Sequence, residues 1–277
     1  MRRGRARRAA AADYHRLPVH LRRRDFPEAG PVSLCLQLDV GNSSVKWRLL
    51  AGGELCDRGR FVRDDDAAKA RLLEKIDVGA SVWVSSVAGP QFEREFATLV
   101  EQRTGISPWF ARSGHSAGGV ANSYAEPARM GVDRWLAMLG ARQHTRDRLC
   151  VVDAGSALTI DLVSAAGQHE GGYIIPGPAL MERALLLDTD RVRFDEEVSY
   201  GLAPGTSTAE AVRHGIALAQ VGAIATALAQ GDGDAPVLFF CGGAGETLMQ
   251  LLDRGGTHVP DLVFEGLAVL AAESARG

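Results

Sequence analysis

The sequence predicts an α/β protein built from two duplicated units, each a mixed sheet with flanking helices. Two short runs echo each other. The first is Leu38-Asp39-Val40-Gly41-Asn42-Ser43-Ser44, followed by Val45 and Lys46. The second is Val152-Asp153-Ala154-Gly155-Ser156-Ala157-Leu158-Thr159. Each follows an apolar run, turns on aspartate-x-glycine and resumes apolar or β-branched residues. The two aspartates start equivalent rounds 114 residues apart, the spacing expected of a duplicated unit. The length of 277 residues suits two domains or one large one.

The elements follow in order. Ser33 to Asp39 reads as a strand, Val45 to Leu50 as its hairpin partner, and Gly52-Gly53 as the next turn. Asp66 to Ile76 has helical spacing, and Ser81 to Val87 is a buried strand ending in small residues. Pro90 to Arg103 is a helix, with Pro at its start and Gly105 past its end. Residues 107–110 read as a further strand. A polar, glycine-rich stretch from Ser113 to Met130 leads into a helix over Asp133 to His144. The second round opens at Leu149 with a strand, a turn and a strand over Leu158 to Val163. Gly171-Gly172-Tyr173-Ile174-Ile175-Pro176-Gly177 comes next, then helices over about 179–187 and 207–229. Val237 to Cys241 is a strand, Gly242-Gly243-Ala244-Gly245 a turn, and helices close the chain. The expected division is a basic extension over 1–33, an N-terminal unit over 34–148 and a C-terminal unit over 149–277.

Charge is unevenly placed. The formal net charge is −3, but residues 1–30 hold nine arginines against Asp13, Asp25 and Glu28, which leaves −9 for the rest. That balance argues against nucleic acid as partner of the folded body. The extension reads as a disordered basic tail or as a start codon assigned upstream of Val32 or Leu34. No apolar signal core follows its arginines, and it has no serine before Ser33. The longest apolar stretch, about Ile216 to Ala229, is short and alanine-rich for a bilayer span, so no membrane partner is expected. Cys35, Cys56, Cys150 and Cys241 lie far apart with no CxxC, which supports neither a disulfide framework nor a zinc site. A reducing cytoplasm is the expected compartment.

A strand ending in a carboxylate, followed by glycine and hydroxyl residues, suits a metal-bound phosphate. Backbone N–H groups approach phosphate oxygens closely, and the carboxylate holds a metal directly or through water. Two such loops suggest two half-domains facing one nucleotide. Only three lysines occur, so Lys46 beside the first loop stands out. No Gly-Lys pair exists, which excludes a Walker A loop. The glycines at 242, 243 and 245 lack the dinucleotide register and read either as an adenine or ribose contact or as a plain turn. Gly114-His115-Ser116-Ala117-Gly118 matches the nucleophile elbow of serine hydrolases, but the helix that must follow is missing. In Gly131-Val132-Asp133-Arg134-Trp135, Asp133 serves as a helix cap or as the group that deprotonates a substrate hydroxyl. Arg134 serves as a surface ion pair or as a grip on a substrate anion.

In order, these motifs resemble those of the type III pantothenate kinases, in the acetate and sugar kinase/Hsp70/actin superfamily. The matching pieces are Asp39 to Lys46, Tyr124 with Pro127 ahead of Gly131 to Trp135, Asp153 to Ala157, Gly171 to Gly177, and Gly205-Thr206-Ser207-Thr208. The resemblance implies two ribonuclease H-like (actin-like ATPase) domains and ATP-dependent phosphorylation of pantothenate, the first step of coenzyme A synthesis. It implies that Asp39, Val40, Gly41, Asn42, Ser43, Ser44, Val45 and Lys46 bind ATP phosphates and Mg²⁺, with Ser156 also on ATP. Asp133 would be the general base, and Tyr124, Gly131, Val132 and Arg134 would bind pantothenate. Asp153 would hold a monovalent cation, K⁺ or NH₄⁺. Thr208 would reach substrate in the other subunit of a homodimer with a composite site. Ser43 and Ser156 stand where the family more often has threonine, and the basic extension lies outside the family pattern. The alternatives are a kinase for another small hydroxy acid, or a nucleotide-binding regulator that kept the fold and lost turnover.

Overall fold

The computed structural model describes residues 33–77, 79–189, 191–230 and 234–276. The predicted basic extension therefore lies outside the described residues, apart from Ser33. The first half runs β1 (Leu34–Val40), β2 (Ser44–Ala51), β3 (Glu54–Val62), α1 (Asp66–Leu73), β4 (Ser81–Ser86), α2 (Pro90–Thr104) and β5 (Trp109–Phe110). A small hairpin, β6 (Ser116–Ala117) and β7 (Val120–Ala121), precedes α3 (Val132–His144). The second half runs β8 (Leu149–Ala154), β9 (Ala157–Val163), β10 (His169–Pro176), α4 (Pro178–Asp188) and α5 (Thr208–Leu228). It closes with β11 (Val237–Cys241), α6 (Gly245–Leu252), β12 (Thr257–His258) and α7 (Leu262–Ser274).

The two five-stranded sheets have the same plan. Their orders are β3-β2-β1-β4-β5 and β10-β9-β8-β11-β12. In each, the first strand pairs antiparallel with the second and parallel with the fourth. Asp39 lies opposite Ser85, and Asp153 opposite Cys241, so the two aspartates occupy equivalent ladder positions. The duplication expected from the echoed motifs is thus visible in strand pairing.

Period-two alternation assigns each strand face to a layer. Leu36, Leu38 and Val40 of β1 pack with Leu72, Phe96 and Val100 of α1 and α2. Cys150 and Val152 of β8 pack with Ile224 of α5 and Leu248 of α6. Leu149 and Val151, on the opposite face of β8, join Trp135, Leu139, Leu262 and Leu267 in a central core. Trp83 and Trp109, from the first sheet, close that core from the other side. Helices α3 and α7 therefore form a layer between the sheets. Their crossing is close because both carry glycine there. A Cβ on Gly266 would overlap the Leu136 carbonyl oxygen, and one on Gly140 would overlap the Leu262 carbonyl oxygen.

Local signals explain most boundaries. Asp65 caps α1 by accepting from Ala68 N–H at 2.9 Å. Pro90 opens α2, and Gly105, at φ +70°, ends it. Strands β3, β6, β7, β10 and β12 went unread in the sequence. Strand β3 is an edge strand whose Asp57, Arg58 and Arg60 lie in or near solvent, so it shows no apolar alternation. Strand β10 is the other edge, and its paired glycines mask its strand character. Ser116 falls in the β6–β7 hairpin, not on a strand-to-helix elbow, which removes the hydrolase pattern.

Candidate active site

Asp39 and Asp153 are the next-to-last residues of β1 and β8, on the faces turned toward the α3/α7 layer, so the duplicated aspartates point into the same space. Each is followed by a loop closed on its own glycine. Gly41 N–H donates to Ser44 C=O at 3.0 Å, and Gly155 N–H to Ala157 C=O at 2.9 Å. The glycine N–H groups are therefore spent inside the loops. Asn42 and Ser43 in the first loop and Ser156 in the second are exposed instead. Lys46 lies directly across β2 from Asp39, on the same sheet face. The β11–α6 turn joins the second loop through Ala244 N–H, which donates to Ala154 C=O at 3.0 Å.

Electrostatics ties these groups together. Burial pushes Asp39 up to about 7; Lys46 draws it back down, while the charges of Asp153 and Asp133 add to the rise. The Ser85 hydroxyl donates to Asp39 Oδ1 at 3.4 Å. Burial likewise pushes Asp153 up to about 6, against Lys46 and a hydrogen bond from the Cys241 thiol, with Asp133 raising it further. Asp133 is also raised by burial, opposed by the Arg134 N–H and guanidinium. Asp39 and Asp153 share one lysine and both feel the charge of Asp133, so the site has uncompensated negative charge and fits a bound cation. The donors are hard oxygens, the kind Mg²⁺ prefers. Among the described residues no three ligating side chains converge tightly. A metal there would complete its shell from phosphate oxygens and water.

Gly131 caps α3 and Val132 is buried at its first turn. Asp133 Oδ1 accepts from Arg134 N–H at 2.8 Å. Arg134, expected as a surface ion pair or a grip on a substrate anion, makes a buried ion pair. Its Nε and Nη2 both bond the carboxylate of Asp161 on β9, and its Nη1 donates to Tyr124 Oη at 2.9 Å. Burial alone would lower Arg134, but the bonds to Asp161 and Tyr124 hold it above its ordinary value. The pair is almost fully buried, and removing one partner of such a pair costs about 3–5 kcal/mol. Gly172 makes room for it: a Cβ there would meet Arg134 Nη2 at 2.7 Å and overlap Asp161. Thr208 stands elsewhere, at the start of α5, where it lines an apolar groove of about 710 Å³ with Leu180, Met181, Leu185, Val212 and Ile216. Ser207 caps that helix by accepting from Glu210 N–H, while the Glu210 carboxylate accepts from Thr206.

Residues 35–230 match the family model described as type III pantothenate kinase. The chain belongs to the type III pantothenate kinase family. A type III pantothenate kinase of Ectopseudomonas mendocina is 39% identical over 246 residues, covering 85% of this chain and 98% of that one. Two solved structures share the fold, each with a TM-score of 0.59. One, from Campylobacter jejuni and described as a Baf family transcriptional activator, is 23% identical and covers 87% of this chain and all of its own. The other, from Sinorhizobium meliloti and described as a 2-dehydro-3-deoxygalactonokinase, is 16% identical and covers 87% of this chain and 96% of its own. Asp161, His169, Cys241 and Ser85 stand beside the predicted residues without having been expected there. Asp161 had one available signal, a carboxylate inside the mostly apolar run from Leu158 to Val163. Cys241 and Ser85 had none without the register.

Proposed function

We propose that this protein transfers the γ-phosphoryl group of ATP to the primary hydroxyl of pantothenate, opening coenzyme A biosynthesis, with Asp133 as general base. Family membership supports the activity. For the roles of the residues, the supporting observation is the convergence of the Asp39–Lys46 loop, the Asp153–Ser156 loop and the α3 N-terminus. Asn42, Ser43 and Ser44 would donate to phosphate oxygens, and Lys46 would offset charge on the transferring group. Ser156 would bind ATP from the second loop. Asp39 would hold Mg²⁺ at the phosphates, where the ion neutralises their charge. Asp153 would hold a monovalent cation and add positive charge beside the nucleotide.

Phosphoryl transfer passes through a loose transition state, so positioning and charge neutralisation dominate. Asp133 would accept the hydroxyl proton as the O–P bond forms, and its upward shift brings it nearer the working pH of a general base. Tyr124, Gly131, Val132 and Arg134 would form the pantothenate pocket. Because Asp161 already neutralises Arg134, the guanidinium would act on substrate mainly through its remaining N–H groups. Thr208 would serve a second subunit. The apolar α4–α5 surface supports a homodimer, and the protein would work in the cytoplasm, without nucleic acid or membrane as partner. By length and composition α5 is long enough to cross a bilayer. Its Ile216, Gln220 and Ile224 are nonetheless buried, and Gln220 bonds the Pro176 carbonyl.

The test is pantothenate-dependent ADP release in potassium against sodium, for wild type and Asp133→Asn. The wild type turns over, faster in potassium, and the variant loses at least about 100-fold in kcat, as expected of a lost general base. Absence of pantothenate-dependent turnover in the wild type would sink the activity. Equal turnover by the variant would remove Asp133 as base.

A further inference from the structure

A line of hydrogen bonds runs from the buried Arg134–Asp161 pair out to solvent. Asp161 Oδ1, besides meeting Arg134, lies 3.1 Å from His169 Nε2. On the other edge of the ring, His169 Nδ1 lies 2.8 Å from Ser123 Oγ. His169 and Asp161 are fully buried, whereas Ser123 is exposed.

The chemistry of the partners gives each proton of a neutral relay one direction. An ionised carboxylate only accepts, so His169 Nε2 carries the hydrogen. With Nε2 donating to Asp161, a neutral imidazole is the Nε2–H tautomer and its Nδ1 accepts. Ser123 must donate its only hydrogen into the ring. Its exposed oxygen is left with lone pairs alone. The segment that carries it is fixed: Asn122 N–H donates to His115 C=O at 2.8 Å, and Tyr124 N–H donates to Asn122 Oδ1 at 3.0 Å. Tyr124 in turn bonds Arg134.

We infer that Ser123 is a specificity residue: a hydroxyl held as a pure acceptor by the Asp161–His169 relay, which reads a hydrogen-bond donor on the substrate. The inference rests on the pantothenate site proposed around Tyr124, Asp133 and Arg134. Pantothenate offers two such donors near its reacting end, the amide N–H and the secondary hydroxyl. A site that presents only an acceptor rejects an analogue lacking the matching donor, because the acceptor is left unpaired.

The experiment compares wild type, Ser123→Ala and Ser123→Thr on pantothenate, on its N-methyl amide and on the analogue without the secondary hydroxyl. Ser123→Ala raises the KM for pantothenate about three- to tenfold, the loss of one neutral hydrogen bond, with kcat within about twofold. Ser123→Thr restores it. The wild type discriminates against one of the two analogues, and Ser123→Ala loses that discrimination. If Ser123→Ala keeps the full wild-type discrimination, the inference is overturned while the kinase reading stands. A wild type inactive on pantothenate fails the kinase reading instead. Nitrogen-15 NMR of His169 tests the relay without turnover: an unprotonated Nδ1 is expected, and a protonated Nδ1 overturns it.

Discussion

Burial holds the carboxyls of Asp39 and Asp153 up at about 7 and about 6, so the folded chain keeps protons that the unfolded chain has released. Between about pH 4 and pH 7 these two groups make the empty protein less stable as pH rises. Asp39→Asn removes one such charge. The variant should melt above the wild type at pH 8, by roughly 2–4 °C for each kcal/mol relieved, and the gap should close toward pH 4. Differential scanning calorimetry of the ligand-free proteins checks this; a gap unchanged with pH would rule out burial of the charge as its cause. The same variant should lose turnover, because the destabilising carboxylate is the one placed for the metal-bound phosphates. Asp39, Asp133 and Asp153 were legible in the sequence because each sits where an apolar run or a helix begins or ends. Asp161 and His169 were not, because their partners come from separate strands and a helix brought together only by folding.

At the scale of elements, the crossing of α3 and α7 is the tightest demand in the molecule. Gly266→Ala places a methyl group on the Leu136 carbonyl of the facing helix. Overpacking of this kind costs about 1–3 kcal/mol or more, against a helix-propensity gain of at most about 1 kcal/mol. Urea denaturation should therefore show Gly266→Ala destabilised; a variant as stable as wild type would mean the helices slide apart freely. Helices α2, α3 and α5 and the strands with buried faces were readable from periodicity and from Pro and Gly punctuation. Edge strands β3 and β10 were not, since a strand with one partner and polar or glycine residues carries no two-residue rhythm. The pairing of equivalent strands in the two sheets was foreshadowed by the echo of Asp39 and Asp153, but register alone made Ser85 and Cys241 their counterparts.

For the molecule as a whole, the least satisfied surface is that of α4 and α5. No residue of α4 is buried, and Leu218 of α5 and Leu187 of α4 are 60% and 72% exposed. The proposed homodimer would cover this face. Leu218→Asp should then give a monomer by analytical ultracentrifugation, with a raised KM for pantothenate because Thr208 no longer reaches a partner's site. A monomeric wild type of full activity would refute both the dimer and the composite site. The return of α7 has a different consequence. The strands of the first sheet are all synthesised by Phe110, yet Trp83 and Trp109 pack on a core that includes Leu262, Phe264 and Leu267. Until α7 leaves the ribosome, a nascent chain carries a finished sheet with one greasy side uncovered, a ready target for chaperones. A helix made late is the lid on a sheet made early.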